Sequence, residues 1–207
     1  MVTNNQVSGL RTRQVVIKRL FDFLISLIGL LAFAPVIVIA WCIATLDTRS
    51  NGFYFQKRIG QNGKPFYLVK IKTMKKVEGI DTTITTTSDV RITRSGAFFR
   101  TTKIDELPQL WNVLSGKMSF VGPRPDVPGY ADKLEGDDRV VLTVRPGITG
   151  PASLKYKDEE KILARKVNPK RYNDEVIWPD KVRINREYIE HYSFKKEFYY
   201  IWETIKG

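Results

Sequence analysis

A chain of 207 residues is long enough for one domain with a genuine core, and its formal net charge of +12 calls for an anionic partner: nucleic acid, an acidic membrane surface or a phosphorylated substrate. The single cysteine, Cys42, excludes a disulfide within the chain and argues against a zinc cluster. The single histidine, His191, sits in an aromatic-rich segment and reads as structural, which leaves little scope for histidine-based catalysis.

In chain order, Lys18 and Arg19 come first, then Asp22, four residues after Lys18 and able to pair with it on one helix face at a membrane boundary. The run from Phe23 to Leu46 contains no ionisable side chain except Cys42. As a straight helix it measures ~36 Å, enough to cross a bilayer core. Pro35 lies near its middle and cannot bond to the carbonyl of Leu31, so a bend is expected there. Both flanks are basic, with Arg11, Arg13, Lys18 and Arg19 before the run and Arg49, Lys57 and Arg58 after it. Positive charge on both sides fits a helix that enters and leaves by the cytoplasmic face. The expectation is therefore a re-entrant membrane helix hairpin; a plain single span and a buried core helix are the alternatives. A cleaved signal peptide is disfavoured by the long segment that precedes the run and by the lack of a clean small-x-small cleavage site before polar sequence.

Residues 53–59 and 65–73 are rich in aromatic and branched side chains, and the Asn62-Gly63 pair between them predicts a β-hairpin. The period of two puts Lys70 and Lys72 on the face of Phe66 and Leu68, where they could hold a diphosphate together or form a solvated strand face. The threonine-rich stretch 77–89 reads as an irregular loop. Arg91, Arg94 and Arg100 then lead to Asp105-Glu106. Leu107, Leu110, Trp111 and Leu114 recur at helical spacing and predict a short amphipathic helix with that stripe buried. Pro108 belongs in its first turn and Gly116 ends it. Two acids at a helix start feel the dipole and the free N–H groups, so both are expected ionised with lowered pKa values. They could be a cap and a first-turn acid, or a site for a metal ion and a phosphate. Arg124, braced between Pro123 and Pro125, favours the phosphate.

Six blocks occur in one order: Lys18-Arg19-Leu20-Phe21-Asp22 before the proline-broken apolar helix, Gln56-Lys57-Arg58-Ile59-Gly60, Lys70-Ile71-Lys72-Thr73-Met74, Asp105-Glu106-Leu107-Pro108-Gln109, Ser119-Phe120-Val121-Gly122-Pro123-Arg124-Pro125, and Arg145-Pro146-Gly147-Ile148-Thr149-Gly150. Together they resemble the bacterial sugar transferase family, the monotopic phosphoglycosyl transferases, over residues 14–150. The resemblance implies transfer of a sugar phosphate from a nucleotide sugar, usually a UDP-sugar, to polyprenyl (undecaprenyl) phosphate with release of UMP. It implies Asp105 as a nucleophile forming a covalent aspartyl-phosphosugar, and Glu106 as ligand of Mg²⁺. Arg124, with Lys70, Lys72, Arg100 and Arg145, would bind substrate phosphate. The implied location is the cytoplasmic face of a bacterial inner membrane, held monotopically by the segment that includes Lys18, Arg19, Asp22 and Pro35. Substrates and membrane lipids are then the partners, with no nucleic acid, and a homodimer is left open. The fold implied is α+β: residues 1–48 form the N-terminal segment and re-entrant helix, and residues 49–207 a small, mostly helical cytosolic domain with a short β-hairpin and interfacial helices.

Some features depart from the family pattern. Lys72 stands where arginine is common, and a lysine cannot offer a bidentate fork. Asn185 occupies the position of a usual aspartate, and residues 151–180 carry a mixed charge run that reads as a solvated helix or as a lid over the sugar site. At the C-terminus Phe194, Phe198, Ile201, Trp202 and Ile205 share one helix face, suited to a core or to a helix lying in the membrane interface. The competing reading is a non-enzymatic, membrane-tethered basic module that binds anionic lipid or nucleic acid. A transferase with direct attack and no covalent intermediate is the third.

Overall fold

A computed structural model describes residues 10–76 and 89–207. All of the threonine-rich stretch except Asp89 lies outside the described residues. The architecture is α+β, with one long apolar helix and two small sheets around which short helices pack.

Helix α1 (Thr12–Thr48) is a single element of 37 residues that continues through Pro35, so two separate hairpin helices are not what the structure displays. It is long and apolar enough to cross a membrane, and only 11% of its most apolar stretch is buried against the rest of the protein. That share rules out an ordinary core helix, which buries most of its surface. Apart from Ile37, the residues it does bury are polar or small. Lys18, Asp22 and Ser26 are buried on its first arm, and Ile37, Ala40 and Ala44 on its second. These positions follow the 3.6-residue period, so each arm docks by one stripe while leucines and isoleucines face outward. Residues 31–36, around Pro35, are all exposed. Both arms rest on the same body: Gly29 meets Leu110 on the first, and Ala40 and Ala44 join Ile71 and Phe99 in one apolar cluster on the second.

The hairpin forms as the sequence dictates. Strands β1 (Phe53–Ile59) and β2 (Pro65–Ile71) pair antiparallel with Tyr54 opposite Lys70, Gln56 opposite Leu68 and Arg58 opposite Phe66. Its turn uses Asn62 at φ 58° and Gly63 at φ 74°, the left-handed conformations that an Asn-Gly pair tolerates.

Helix α2 (Arg94–Thr102) is capped by the Thr93 hydroxyl, which accepts from the Gly96 N–H at 2.9 Å. It ends at Lys103, a non-glycine residue with φ 59°. A tight turn over Ile104–Glu106 follows, and then α3 (Gln109–Leu114). Here the expected stripe is corrected. Gln109, Leu110, Asn112 and Val113 are buried, whereas Trp111 is 59% exposed. The reason is a polar dock: Asn112 accepts from the Val69 N–H at 3.0 Å and donates to the Tyr67 carbonyl at 2.8 Å, satisfying the free edge of β2. Gly116, at φ 76°, ends the helix as expected.

Strand β3 (Ser119–Val121) pairs parallel with β4 (Gly147–Thr149). Close approach demands glycine here, because a Cβ on Gly122 would lie 2.5 Å from the Arg145 carbonyl oxygen and one on Gly147 would lie 2.2 Å from the Gly122 nitrogen. Helices α4 (Pro151–Lys155), α5 (Glu159–Ala164), α6 (Pro169–Tyr172), α7 (Trp178–Glu190) and α8 (Phe194–Lys206) complete the chain. Glu197, fully buried on α8, receives the Lys18 ammonium from α1 and, at 2.7 Å, the Tyr188 hydroxyl from α7. One buried carboxylate thereby joins three helices.

Candidate active site

Asp105 and Glu106 share the turn between α2 and α3, and their surroundings push them apart. Asp105 is 8% exposed, and its Oδ1 has no hydrogen-bond partner among the described residues. Burial pushes its carboxyl above the ordinary range, and the charge of Glu106 pushes the same way against Lys70, Lys103 and Arg100. Glu106 behaves oppositely. Burial opposes its ionisation too, but Arg124 and Lys70 overcome that and hold its carboxyl well below the ordinary range. The expectation of two carboxylates with lowered pKa values thus holds for Glu106 and is corrected for Asp105. In the observed turn the Glu106 N–H is already bonded to the Lys103 carbonyl, and Pro108, not Asp105, stands at the N-cap of α3. The Asp105 carboxylate therefore does not have the free N–H groups on which that expectation relied.

Two cations meet on one oxygen. Glu106 Oε1 accepts from Lys70 Nζ at 2.9 Å and from Arg124 Nη2 at 3.1 Å. The Asn112 dock brings Lys70 there by fixing α3 against β2, and the glycine-tight β3–β4 pair brings Arg124. Arg100, at the end of α2, contributes its field to Asp105 while its Nη2 lies 3.4 Å from Glu160 on α5. Two other phosphate candidates stand apart from this cluster. Lys72 donates to the Ser50 hydroxyl at 2.7 Å, and Arg145 Nε donates to the Gly116 carbonyl at 2.9 Å, closing the end of α3.

The membrane-segment residues turn out to hold the site's scaffold. Arg19 sends Nη1 to the Val113 carbonyl and Nη2 to the Leu114 carbonyl, each at 2.7 Å, a fork on the last carbonyls of α3, where Val113 also accepts from the Gly116 N–H at 3.0 Å. Asp22 Oδ1 accepts from the Ser119 hydroxyl and the Phe120 N–H, both at 3.1 Å. The strand so held leads directly into Gly122-Pro123-Arg124-Pro125. Lys18 and Asp22 share a buried face, but Lys18 takes Glu197 as its hydrogen-bonding partner.

Sequence reasoning missed Asp126, just past Pro125. Burial pushes its carboxyl up to about 6, against the attraction of Lys181 and Arg58. It also missed Glu197, which sits between Phe194 and Ile201 on the edge of the apolar face that drew attention in α8. His191 lies exposed at the end of α7, with Nδ1 3.2 Å from the Glu187 carbonyl oxygen.

A carboxylate with a free buried oxygen thus stands beside a second carboxylate locked to two cations. The sequence pattern of the family described as "Bacterial sugar transferase" matches residues 13–207. The chain belongs to the bacterial sugar transferase family. It is 41% identical over 150 residues, 72% of this chain and 83% of the other, to a putative undecaprenyl-phosphate N-acetylgalactosaminyl 1-phosphate transferase of Bacillus subtilis. It is 34% identical over 151 residues to the UDP-glucose:undecaprenyl-phosphate glucose-1-phosphate transferase of Klebsiella pneumoniae, 71% of this chain and 32% of that one. An undecaprenyl-phosphate glucose phosphotransferase of Komagataeibacter xylinus is 34% identical over 197 residues, covering 91% of this chain and 35% of that protein. The sugar transferase thus spans most of a short relative and about a third of longer ones.

Proposed function

We propose that this sugar transferase moves a sugar phosphate from a nucleotide sugar, most simply a UDP-sugar, to polyprenyl phosphate through a covalent intermediate on Asp105. The observation that carries the reading is the unpartnered, buried Oδ1 of Asp105 beside a Glu106 already neutralised by Lys70 and Arg124. In the first step an Asp105 carboxylate oxygen attacks the phosphorus that bears the sugar. The new P–O(Asp105) bond forms as the P–O bond to the nucleotide breaks, and UMP leaves with the electron pair. In the second step an oxygen of polyprenyl phosphate attacks the same phosphorus, the P–O(Asp105) bond breaks, and the carboxylate is regenerated. A carboxylate whose pKa is raised is more basic in its ionised form and so a better nucleophile. Arg124 and Lys70 stabilise charge on the transferring phosphoryl oxygens.

Magnesium fits this dyad in one way. No group of three or more His, Cys, Asp or Glu suited to a metal occurs among the described residues, so an all-protein cage is absent from them. Mg²⁺ commonly takes one or two carboxylates and completes its shell on substrate phosphates and water. The Glu106 carboxylate is the protein donor for such a site. When bound, the ion would add positive charge beside the diphosphate.

The same reading gives α1 its topology. Its two arms dock on one body, residues 31–36 between them are bare, and apolar side chains face outward on both. A helix held at both ends by one body enters and leaves the membrane by the same face, with Pro35 at the deepest point. Exposed Phe98, Trp111, Phe198, Tyr199 and Trp202 suit the headgroup level, where aromatic side chains concentrate. The location that follows is the cytoplasmic face of the bacterial inner membrane.

The test is mass spectrometry of the purified protein after incubation with a panel of UDP-sugars and Mg²⁺, without acceptor. A sugar phosphate adduct on Asp105, discharged by polyprenyl phosphate, is expected. UMP release that needs the acceptor and leaves no adduct would replace the covalent route with direct attack.

A further inference from the structure

The phosphate cradle described so far has two cations that share one carboxylate, and a transferase that handles a diphosphate and a lipid phosphate has more negative charge to meet. We infer that Arg58, on the hairpin, is a third phosphate-binding group of this site; the inference rests on the sugar-phosphate transfer reading.

Arg58 is near the end of β1, yet its guanidinium folds back along the strand. Nε and Nη2 donate to Gln56 Oε1 at 3.2 and 2.7 Å, and Nη1 donates to the Pro125 carbonyl at 3.1 Å. The neighbouring Ile59 N–H donates to the Asp126 carbonyl at 2.9 Å. The strand therefore grips the peptide immediately after Arg124 from two sides and sets the Arg58 guanidinium beside that of Arg124. The like charge of Arg124 acts with burial to lower the Arg58 pKa, while Asp126 and Glu106 oppose it.

Two features separate Arg58 from a merely structural arginine. Its hydrogen-bonding partners, an amide and a peptide carbonyl, are neutral, and it forms no ion pair among the described residues. The acids whose fields reach it are otherwise engaged: Glu106 is held by Lys70 and Arg124, and the Asp126 carboxyl is pushed up to about 6. Three of the five N–H groups of the fork are used, which leaves one on each terminal nitrogen. Free donors on both terminal nitrogens suit a guanidinium to phosphate oxygens. Gln56 and Pro125 preorganise it, so little side-chain freedom is lost when the anion arrives. The ligand chemistry is a phosphate oxygen, supplied either by the diphosphate of the nucleotide sugar or by the headgroup of polyprenyl phosphate.

The decisive comparison uses Arg58→Gln, Arg124→Gln and the double variant, with Arg58→Lys in place of Arg58→Gln if the glutamine variant does not fold. Pyrophosphate and UMP are titrated calorimetrically onto each purified protein, and KM is measured separately for the UDP-sugar and for a short-chain polyprenyl phosphate. Loss of one charge-assisted contact predicts ~10–100-fold weaker binding or higher KM for one of the two phosphates. A change in pyrophosphate affinity and donor KM assigns Arg58 to the diphosphate; a change in acceptor KM alone assigns it to the lipid phosphate. In the double variant the two losses should multiply. A double variant no weaker than Arg124→Gln would mean that Arg58 acts by holding the loop, and unchanged affinities and KM values would remove it from the site; either result overturns the inference. The pyrophosphate titration needs no turnover, so weaker binding in Arg58→Gln stands even if wild type releases no UMP, a result that would sink the transfer reading instead.

Discussion

Replacing Asp105 by Asn should abolish turnover and at the same time stabilise the fold, while Glu106→Gln next to it should weaken both. In the native turn a buried carboxylate oxygen of Asp105 has no partner, and burial raises its pKa, so its charge is held against the folding free energy. An unsatisfied buried polar atom costs about 1–3 kcal/mol. Asparagine keeps the shape and removes the charge but leaves an oxygen unpaired, so about 1 kcal/mol is recovered, a rise of about 2–4 °C in the midpoint for a chain of this size. Glu106→Gln strips the shared anion from Lys70 and Arg124. Because the Arg124 side chain is 49% exposed, screening reduces what its contact is worth, and the loss comes to about 1–2 kcal/mol. The pH dependence carries opposite signs. Asp105 has a raised folded pKa, so wild type falls behind Asp105→Asn as pH rises through that pKa, and the two converge below the ordinary aspartate value of about 3.9. Glu106 has a lowered folded pKa, so its contribution is complete above about 4.3 and fades as pH falls through the folded value. Thermal unfolding followed by tryptophan fluorescence in detergent, from about pH 2 to 8, follows the Asp105 effect through its convergence and the Glu106 effect as it begins to fade. UMP release should fall at least ~10⁴-fold in Asp105→Asn, as for loss of a catalytic nucleophile. If Asp105→Asn were less stable than wild type by 1 kcal/mol or more, Asp105 would be serving the fold as a cap, and the argument from its free oxygen would collapse.

Three further outcomes follow from the scaffold. Lys18→Met leaves the Glu197 carboxylate buried without its cation and should cost about 3–5 kcal/mol, and Lys18→Met with Glu197→Leu should recover most of that; a double-mutant cycle showing no coupling would contradict the buried pair. Lys103→Gly relieves a left-handed backbone at φ 59° and should stabilise by about 0.5–1 kcal/mol in the same unfolding assay, and unchanged or lower stability would show the turn to be unstrained for lysine. Epitope tags at the N-terminus and after Ser50 should both be protected from labelling in intact cells; an N-terminal tag labelled from outside means that α1 crosses the membrane.

How much of this could be read from the sequence depended on whether hydrophobicity meant burial. It did in the hairpin, where Asn62-Gly63 and the alternation through Phe66 and Leu68 located both strands and the turn. It did not in α1 or α3. In α1 the side chains buried in the dock are Lys18, Asp22, Ser26, Ala40 and Ala44, together with Ile37, with Phe21 and Leu30 partly covered, while most of the surrounding leucines, isoleucines and phenylalanines stay outside. In α3 the dock is Gln109 and Asn112 with Leu110 and Val113, and Trp111 points away. Under the proposed membrane placement both inversions have one cause: an apolar side chain gains nothing by leaving lipid for protein, whereas small residues allow close approach and polar ones find fixed partners. The charged residues follow a related rule. Residue type alone does not distinguish an arginine that will meet a carbonyl from one that will meet a phosphate, and Arg19 and Arg145 both went to the end of α3. What separates them from Arg124 is the backbone that carries them. Arg124 stands between prolines on a loop pinned by Gly122 and Gly147, with Glu106 as its one ion-pair partner among the described residues, and that anion is already shared. A cation placed so rigidly beside an over-committed carboxylate gains most when another anion arrives, which is the property that a phosphate site needs and that a helix cap does not.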